Sequence, residues 1–174
     1  MDSVLPGLDA APNIHPLFVH FPVALWPVAL VAMAFAYLKK DDKAYRFGTA
    51  LLGASVLAGL AAALTGWLAS DAMGHDHPGH ELIHDHRNLM LAALLVALGA
   101  AGAAWWCRPP ERQGKRWIPV GLLLICCLLT VLGADRGALL VYGHGVGVRS
   151  AQPASPAHSH DAERTARSHA AHSH

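Results

Sequence analysis

Four long runs of apolar residues, separated by short polar segments, dominate the chain. They cover residues 16–38, 47–69, 88–106 and 117–142. A helix rises about 1.5 Å per residue, so about 20 apolar residues cross the roughly 30 Å hydrocarbon core of a bilayer. The pattern therefore predicts an all-α fold, a bundle of four transmembrane helices embedded in the lipid bilayer.

The segments outside these runs define the domain limits. Residues 1–14 are predicted to be a short extramembrane lead that lacks the basic start of a cleavable signal peptide. Residues 149–174 are rich in Ala, Ser, Pro and His and have no apolar face, which predicts a disordered tail. The membrane domain is thus expected to occupy residues 15–148.

The composition also favours a membrane protein. Hydrophobic residues make up 53% of the 174 residues and charged residues only 14%, which argues against an ordinary solvated globule. The net charge of +1 gives no indication of a nucleic-acid partner. Neither a nucleophile–base arrangement nor a phosphate-binding loop is present in the sequence, so an electron-transfer or metal-binding protein is favoured over a stand-alone enzyme.

The distribution of basic residues predicts the orientation in the membrane. Four crossings place the first and third connections on one face, and both termini with the middle connection on the other. Basic residues concentrate in the first and third connections: Lys39, Lys40, Lys43, Arg46, Arg108, Arg112, Lys115 and Arg116. Because such an excess marks the cytoplasmic side, we expect both termini on the periplasmic or extracellular face of the inner (plasma) membrane.

The histidines cluster on that outer face. All 13 lie at the start of the first run, in the middle connection, at the end of the fourth run or in the tail, and none lies in a basic connection. A polar loop has no particular need of imidazoles. The clustering therefore indicates a metal centre, with haem as the first candidate.

Two histidines open the first run. His15 is expected at the membrane interface, and His20 lies about one turn deeper and points to another side of the helix. An ionisable group in hydrocarbon is costly and usually functional, which favours His20 as a ligand. For His15, a ligand and a neutral imidazole bonded to a backbone carbonyl both stay open.

The middle connection contributes a second group of histidines. His80 and His84 stand four residues apart, the spacing that brings two imidazoles onto one helix face for a first-row metal. His86 borders the third run and is expected to reach into the bundle. These three residues form the predicted set for copper, zinc or nickel, whereas His75 and His77 are typical of a merely polar loop.

The outer end of the fourth run carries a third group. In Tyr142-Gly143-His144, the glycine allows close approach of a bulky planar group or of another helix. Arg136 lies about two turns inward of His144 and is a candidate partner for a haem propionate. The alternative for Arg136 is an ion pair with Asp71 or Asp135.

A family resemblance rests on two of these segments. Residues 15–25 (HPLFVHFPVAL) and 140–148 (LVYGHGVGV) resemble the bacterial four-helix membrane family catalogued as domain of unknown function 2231. The resemblance covers residues 14–148. That family is grouped by remote similarity with membrane b-type di-haem cytochromes, which implies haem b held by helix-borne histidines. On this sequence it points to the following residues: His15, His20, His86 and His144.

Three functional hypotheses follow. In the first, the outer half of the bundle binds one or two b-type haems and passes electrons between a periplasmic donor and quinone or a partner subunit. In the second, the protein handles copper, zinc or nickel through the histidine-rich connection and the tail, aided by methionine and cysteine as soft ligands for Cu(I). In the third, it is a structural subunit whose histidines only pack and cap.

Overall fold

The structure, a computed structural model, describes residues 4, 5, 9, 11, 13–71 and 80–147 of the chain. Its four long helices are α1 (His15–Lys39), α2 (Asp42–Asp71), α3 (His80–Trp106) and α4 (Trp117–His144), and a short 3-10 helix, Pro110–Lys115, precedes α4. Each long helix is sufficiently long and apolar to cross a membrane. The described residues contain no strand, so the predicted all-α, four-helix fold is confirmed.

Two predictions fall on other parts of the chain. The tail, 149–174, lies outside the described residues, and so do His75 and His77. The orientation relative to the two membrane faces stays a prediction.

Local chemistry explains where α1 ends and α2 begins. Lys40 adopts the left-handed conformation (φ 52°) and its backbone N–H donates to the Tyr37 carbonyl, while the N–H of Asp41 donates to the Ala36 carbonyl. Asp41 then caps α2, because its Oδ1 accepts hydrogen bonds from the backbone N–H groups of Lys43 (2.8 Å) and Ala44 (3.1 Å). Two residues therefore suffice to join these helices into a hairpin.

The other helices extend beyond their apolar runs. α3 begins at His80, eight residues before the predicted run starts at 88, with Glu81 in the first turn, where a carboxylate favours a helix N-terminus. α4 continues through Asp135-Arg136 without a break and ends at His144, and the φ of 65° at the following residue, Gly145, favours glycine. The histidines of the middle connection that the structure describes are consequently helical.

The helices pack as two hairpins. α1 packs along α2, and α3 packs along α4, whereas the α2–α3 and α1–α4 interfaces are less extensive. Small residues permit the close contact: a Cβ at Gly48 would lie 2.8 Å from Met33 Sδ, and one at Gly59 would lie 3.1 Å from Trp26 Cζ2. The outward surface carries large apolar side chains, as expected of a surface that contacts lipid.

The bundle has two chemically different ends. We call the end with the α1–α2 and α3–α4 connections the basic end, and the end with the N-termini of α1 and α3 the histidine end. At the basic end Arg116 is only 1% exposed. It pairs with Asp42 at 2.7 Å, covers the Tyr45 ring at 3.9 Å and donates to the carbonyls of Cys107 and Arg108.

Further contacts hold the basic end together. The Tyr45 hydroxyl donates to the Ala104 carbonyl at 3.0 Å. Arg108 lies over the Trp105 ring at 3.8 Å, and Arg112 lies over the Trp106 ring at 4.6 Å. Cation–π contacts of this kind are favourable where aromatic rings border water. The basic end thus joins the two hairpins through buried polar contacts.

Candidate metal centre at the histidine end

His86 on α3 is held against α4 by a specific hydrogen bond. Its Nδ1 lies 2.7 Å from the carbonyl oxygen of Gly133, so Nδ1–H is the donor. The ring lies beside Gly137, where a Cβ would be 3.0 Å from the His86 Cε1 atom. Because Nδ1 carries the proton, the neutral ring keeps a lone pair on Nε2.

His15 on α1 is held against α2 in a similar way. Its Nδ1 lies 3.2 Å from Thr65 Oγ1. The Thr65 hydroxyl donates to the carbonyls of Ala61 or Ala62 at 3.0 and 3.1 Å, so it accepts from His15 Nδ1–H. A Cβ at Gly66 would lie 2.8 Å from the His15 Cε1 atom. The neutral His15 ring therefore also keeps its lone pair on Nε2.

Both imidazoles lie at the histidine end. Although His15 and His86 come from helices that pack on different partners, electrostatic repulsion acts between their charged forms. An imidazole whose Nδ1–H is held by a carbonyl or hydroxyl has the form of a metal-ligating histidine, since the bond fixes the tautomer and the ring orientation. Each ring can thus offer one nitrogen donor to an iron or another first-row metal.

His80 and His84 form a separate pair near the start of α3. Their Nε2 atoms are 3.0 Å apart, and their rings meet edge to face with centroids 4.6 Å apart. Arg87 Nη2 lies 2.6 Å from His84 Nδ1. Since a guanidinium only donates, His84 Nδ1 accepts from Arg87, and His84 Nε2–H donates to His80.

The structure does not join this pair to His86. The His86 ring is turned onto α4, and among the residues that the structure describes no three His, Cys, Asp or Glu side chains are arranged to hold a metal ion. His80 and His84 therefore provide two converging nitrogens, and the predicted set of three stays a prediction.

The remaining predicted site residues are exposed or have other partners. His20 is exposed, and its Nδ1 bonds to the Pro16 carbonyl of its own helix. His144 is exposed at the end of α4. Arg136 pairs with Asp135 at 2.8 Å, one of the two alternatives that the sequence left open.

Sequence reasoning missed the residues that support the imidazoles. Thr65 and Gly133 accept the ring hydrogen bonds, and Gly66 and Gly137 make room for the rings. Arg87 carried no prediction, yet its guanidinium lies 5.3 Å from the Trp67 ring of α2 and so links the two hairpins. A glycine inside an apolar helical run was the available signal, but a glycine alone does not name its partner.

Comparisons with known proteins identify a family. A family model described as "Predicted membrane protein (DUF2231)" matches residues 11–150 of the chain. Neither a search of curated proteins nor a search of solved structures found a match.

Proposed function

Since the chain belongs to the predicted membrane proteins of domain of unknown function 2231, we propose that it is a haem-binding integral membrane protein that transfers electrons. In this proposal the imidazole nitrogens of His15 and His86 would hold b-type haem at the histidine end. The observation that carries it is the hydrogen bond from His86 Nδ1–H to the Gly133 carbonyl, which leaves Nε2 available for iron.

The number of protein donors favours haem over a bare ion at this pair. A structural zinc site usually needs four protein ligands, and a catalytic one needs three. Haem iron already has four porphyrin nitrogens and takes at most two axial ligands from the protein. His15 and His86 offer two imidazoles, and the described part of the chain holds no group of three His, Cys, Asp or Glu side chains that could hold an ion. Two imidazoles therefore suit the ligand number of haem iron better than that of zinc.

The surrounding residues have defined roles in this proposal. Bound haem would supply one-electron chemistry. Hydrogen bonds to the Nδ1–H groups make the imidazoles more electron-donating, which favours the oxidised metal and lowers the reduction potential. Arg87 and Arg136 at the same end are candidate partners for propionates. The electron donor would approach from the periplasmic side, and the acceptor would be quinone or a partner subunit.

The wider set of ligands also belongs to the proposal. The family resemblance also implies His20 and His144 as haem ligands. Both are exposed in the isolated chain, so a second haem there would need donors beyond those that the described residues bring together. The proposed localisation is the inner membrane, with both termini on the periplasmic or extracellular face.

A second candidate function is the handling of copper, zinc or nickel ions. It is favoured by the 3.0 Å separation of the His80 and His84 Nε2 atoms, which is near the spacing of two imidazoles on one tetrahedral ion. Metal binding would displace Arg87 from His84. A metal on His84 Nε2 leaves the ring proton on Nδ1, and Nδ1 can then no longer accept a hydrogen bond from Arg87. This function does not require the His15–His86 pair.

An absorption spectrum with metal analysis separates the two functions. The full chain is purified in detergent after expression with ample haem. We expect a Soret band that His86→Ala and His15→Ala each abolish and that His80→Ala leaves in place. A colourless protein whose copper, zinc or nickel content falls in His80→Ala would contradict haem binding and support the second candidate.

A further inference from the structure

The two imidazoles occupy equivalent positions in the two hairpins. His15 precedes Gly66, the glycine beside its ring, by 51 positions (from 15 to 66), and His86 precedes Gly137 by the same 51 (from 86 to 137). The Gly133 carbonyl, which accepts from the His86 ring, stands 71 positions after Ala62, whose carbonyl accepts from Thr65, the residue that accepts from the His15 ring. Hence one offset of 71 positions (from 15 to 86) relates both environments.

The same offset relates the buried faces of α1 and α3. All five buried residues of α1 have a buried counterpart 71 positions later. The pairs are Pro22 and Ala93, Trp26 and Ala97, Ala29 and Ala100, Met33 and Ala104, and Ala36 and Cys107. Most of the paired residues differ in type, so the repeat lies in the pattern of burial.

The offset also relates α2 to α4. Six of the eight buried residues of α2 have a buried counterpart, and the other two have half-buried ones. The six pairs are Tyr45 and Arg116, Gly48 and Pro119, Leu52 and Leu123, Ser55 and Cys126, Gly59 and Thr130, and Ala62 and Gly133. The 3-10 helix Pro110–Lys115 corresponds to residues 39–44, so the match needs no insertion or deletion between the helices.

The helix contacts have the symmetry that such a repeat requires. The α1–α2 and α3–α4 contacts are nearly equal in extent, and so are the α2–α3 and α1–α4 contacts. A two-fold axis along the bundle exchanges α1 with α3 and α2 with α4, and it converts each of these interfaces into its partner.

We infer that the chain is a tandem pair of helical hairpins related by an approximate two-fold axis, and that His15 and His86 share one metal centre near that axis. The inference rests on the proposed metal-binding function and specifies its stoichiometry. One centre uses both equivalent nitrogens. A bare ion on either imidazole alone would need further protein ligands, and the described residues hold no group of three His, Cys, Asp or Glu side chains that could supply them.

The stoichiometry of haem on the full chain tests this inference. Detergent-purified protein is titrated with ferric haem, and bound haem is quantified against protein. We expect one haem per chain and a low-spin electron paramagnetic resonance signal typical of two imidazoles. His15→Met and His86→Met should each change that signal in the same way, whereas Gly53→Ala, at a site with no atom within 4 Å of the new Cβ, should leave it intact.

Other outcomes separate this inference from the proposed function. Two haems per chain, or half of the haem lost in His20→Ala, would overturn the shared centre but leave haem binding standing. If haem does not bind, the same variants are titrated with Zn²⁺. One Zn²⁺ per chain that requires both His15 and His86 would support the shared centre and reject haem, and failure of both titrations would overturn both.

Discussion

Tyr45 and Arg116 meet at the basic end, where the guanidinium carbon lies 3.9 Å from the centre of the ring. They stand 71 positions apart, as do His15 and His86. Residues at equivalent positions touch one another only close to a two-fold axis. The contact thus lies near the approximate axis at the end of the bundle opposite to the imidazole pair.

The Arg116 contacts predict a large stability effect at a single position. Arg116→Gln removes the ion pair with Asp42 and the cation–π contact with Tyr45, and it leaves carbonyls of the connection without their donor. We expect the variant to lose about 1–3 kcal/mol of unfolding free energy. Denaturant unfolding in detergent, followed by circular dichroism, measures the change.

The matched control is Arg136, the other arginine in an ion pair within the part of the chain that the structure describes. Arg136 is exposed, and its ion pair with Asp135 is exposed as well. Because exposed ion pairs contribute little, Arg136→Gln should change stability by no more than about 0.5 kcal/mol. Equal losses in the two variants would show that the buried contacts of Arg116 do not join the hairpins.

The glycines beside the imidazoles predict a second, local effect. An alanine Cβ would lie 2.8 Å from His15 Cε1 in Gly66→Ala and 3.0 Å from His86 Cε1 in Gly137→Ala. Each ring must then move away from its hydrogen-bond acceptor. We expect a loss of about 1–3 kcal/mol from overpacking, together with weaker retention of metal or haem.

Two glycines elsewhere in the same helices serve as controls. A Cβ at Gly53 in α2 or at Gly121 in α4 meets no atom within 4 Å. Alanine should stabilise those sites slightly, because glycine is the weaker helix former. Thermal unfolding and bound metal are measured for all four variants. If Gly66→Ala and Gly53→Ala behave alike, the His15 ring does not lie where the structure has it.

The tautomers of the two imidazoles can be observed directly. In ¹⁵N-histidine spectra of the metal-free protein, we expect His15 and His86 to be protonated at Nδ1 and to carry a lone pair on Nε2, since Nδ1–H is the donor in both bonds. Thr65→Val removes the acceptor for His15 and should raise the Nε2–H population of that residue alone. Thr65→Ser should restore the native spectrum.

A second threonine provides the control for this experiment. The Thr130 hydroxyl donates to the Cys126 carbonyl of its own helix. Thr130→Val therefore should leave both histidine spectra unchanged. Predominant Nε2–H in native His86 would contradict the assigned hydrogen bond to Gly133 and, with it, the readiness of Nε2 for a metal.

The number of helices was predictable because the apolar runs match the thickness of a bilayer. The grouping of His15 and His86 at one end also followed from the even number of crossings. The different environments of His15 and His20 could not be predicted, because helix periodicity fixes the angle between these two residues but not which of them faces a neighbouring helix. The structure turns His15 toward α2 and leaves His20 exposed.

The internal repeat was hidden in the sequence for a related reason. Burial constrains the size and polarity of a residue against its neighbours, not its identity, so Trp26 and Ala97 fill equivalent positions without resembling each other. The spacing from histidine to glycine, His15 to Gly66 and His86 to Gly137, preserves residue type, but two such pairs in 174 residues do not stand out.

Cys107 at the basic end predicts a pH dependence outside the membrane spans. It is fully buried, and its thiol donates to the Lys115 carbonyl at 3.6 Å. Burial raises the pKa of the Cys107 thiol, against the opposing influence of Arg112, Arg116 and Lys115. Because only the thiolate reacts, alkylation at neutral pH should be slow, and its rate should keep rising to a higher pH than for an ordinary thiol.

The measurement uses a chain in which Cys126 and Cys127 are replaced by alanine, so that Cys107 is the remaining thiol. The control carries Gly114→Cys in the same connection, with Cys107 also replaced, since Gly114 is exposed and has open space around it. Maleimide labelling is followed from pH 6 to pH 10, about the range over which thiols titrate. Coincident pH profiles would mean that the basic end opens to water often enough to cancel the effect of burial.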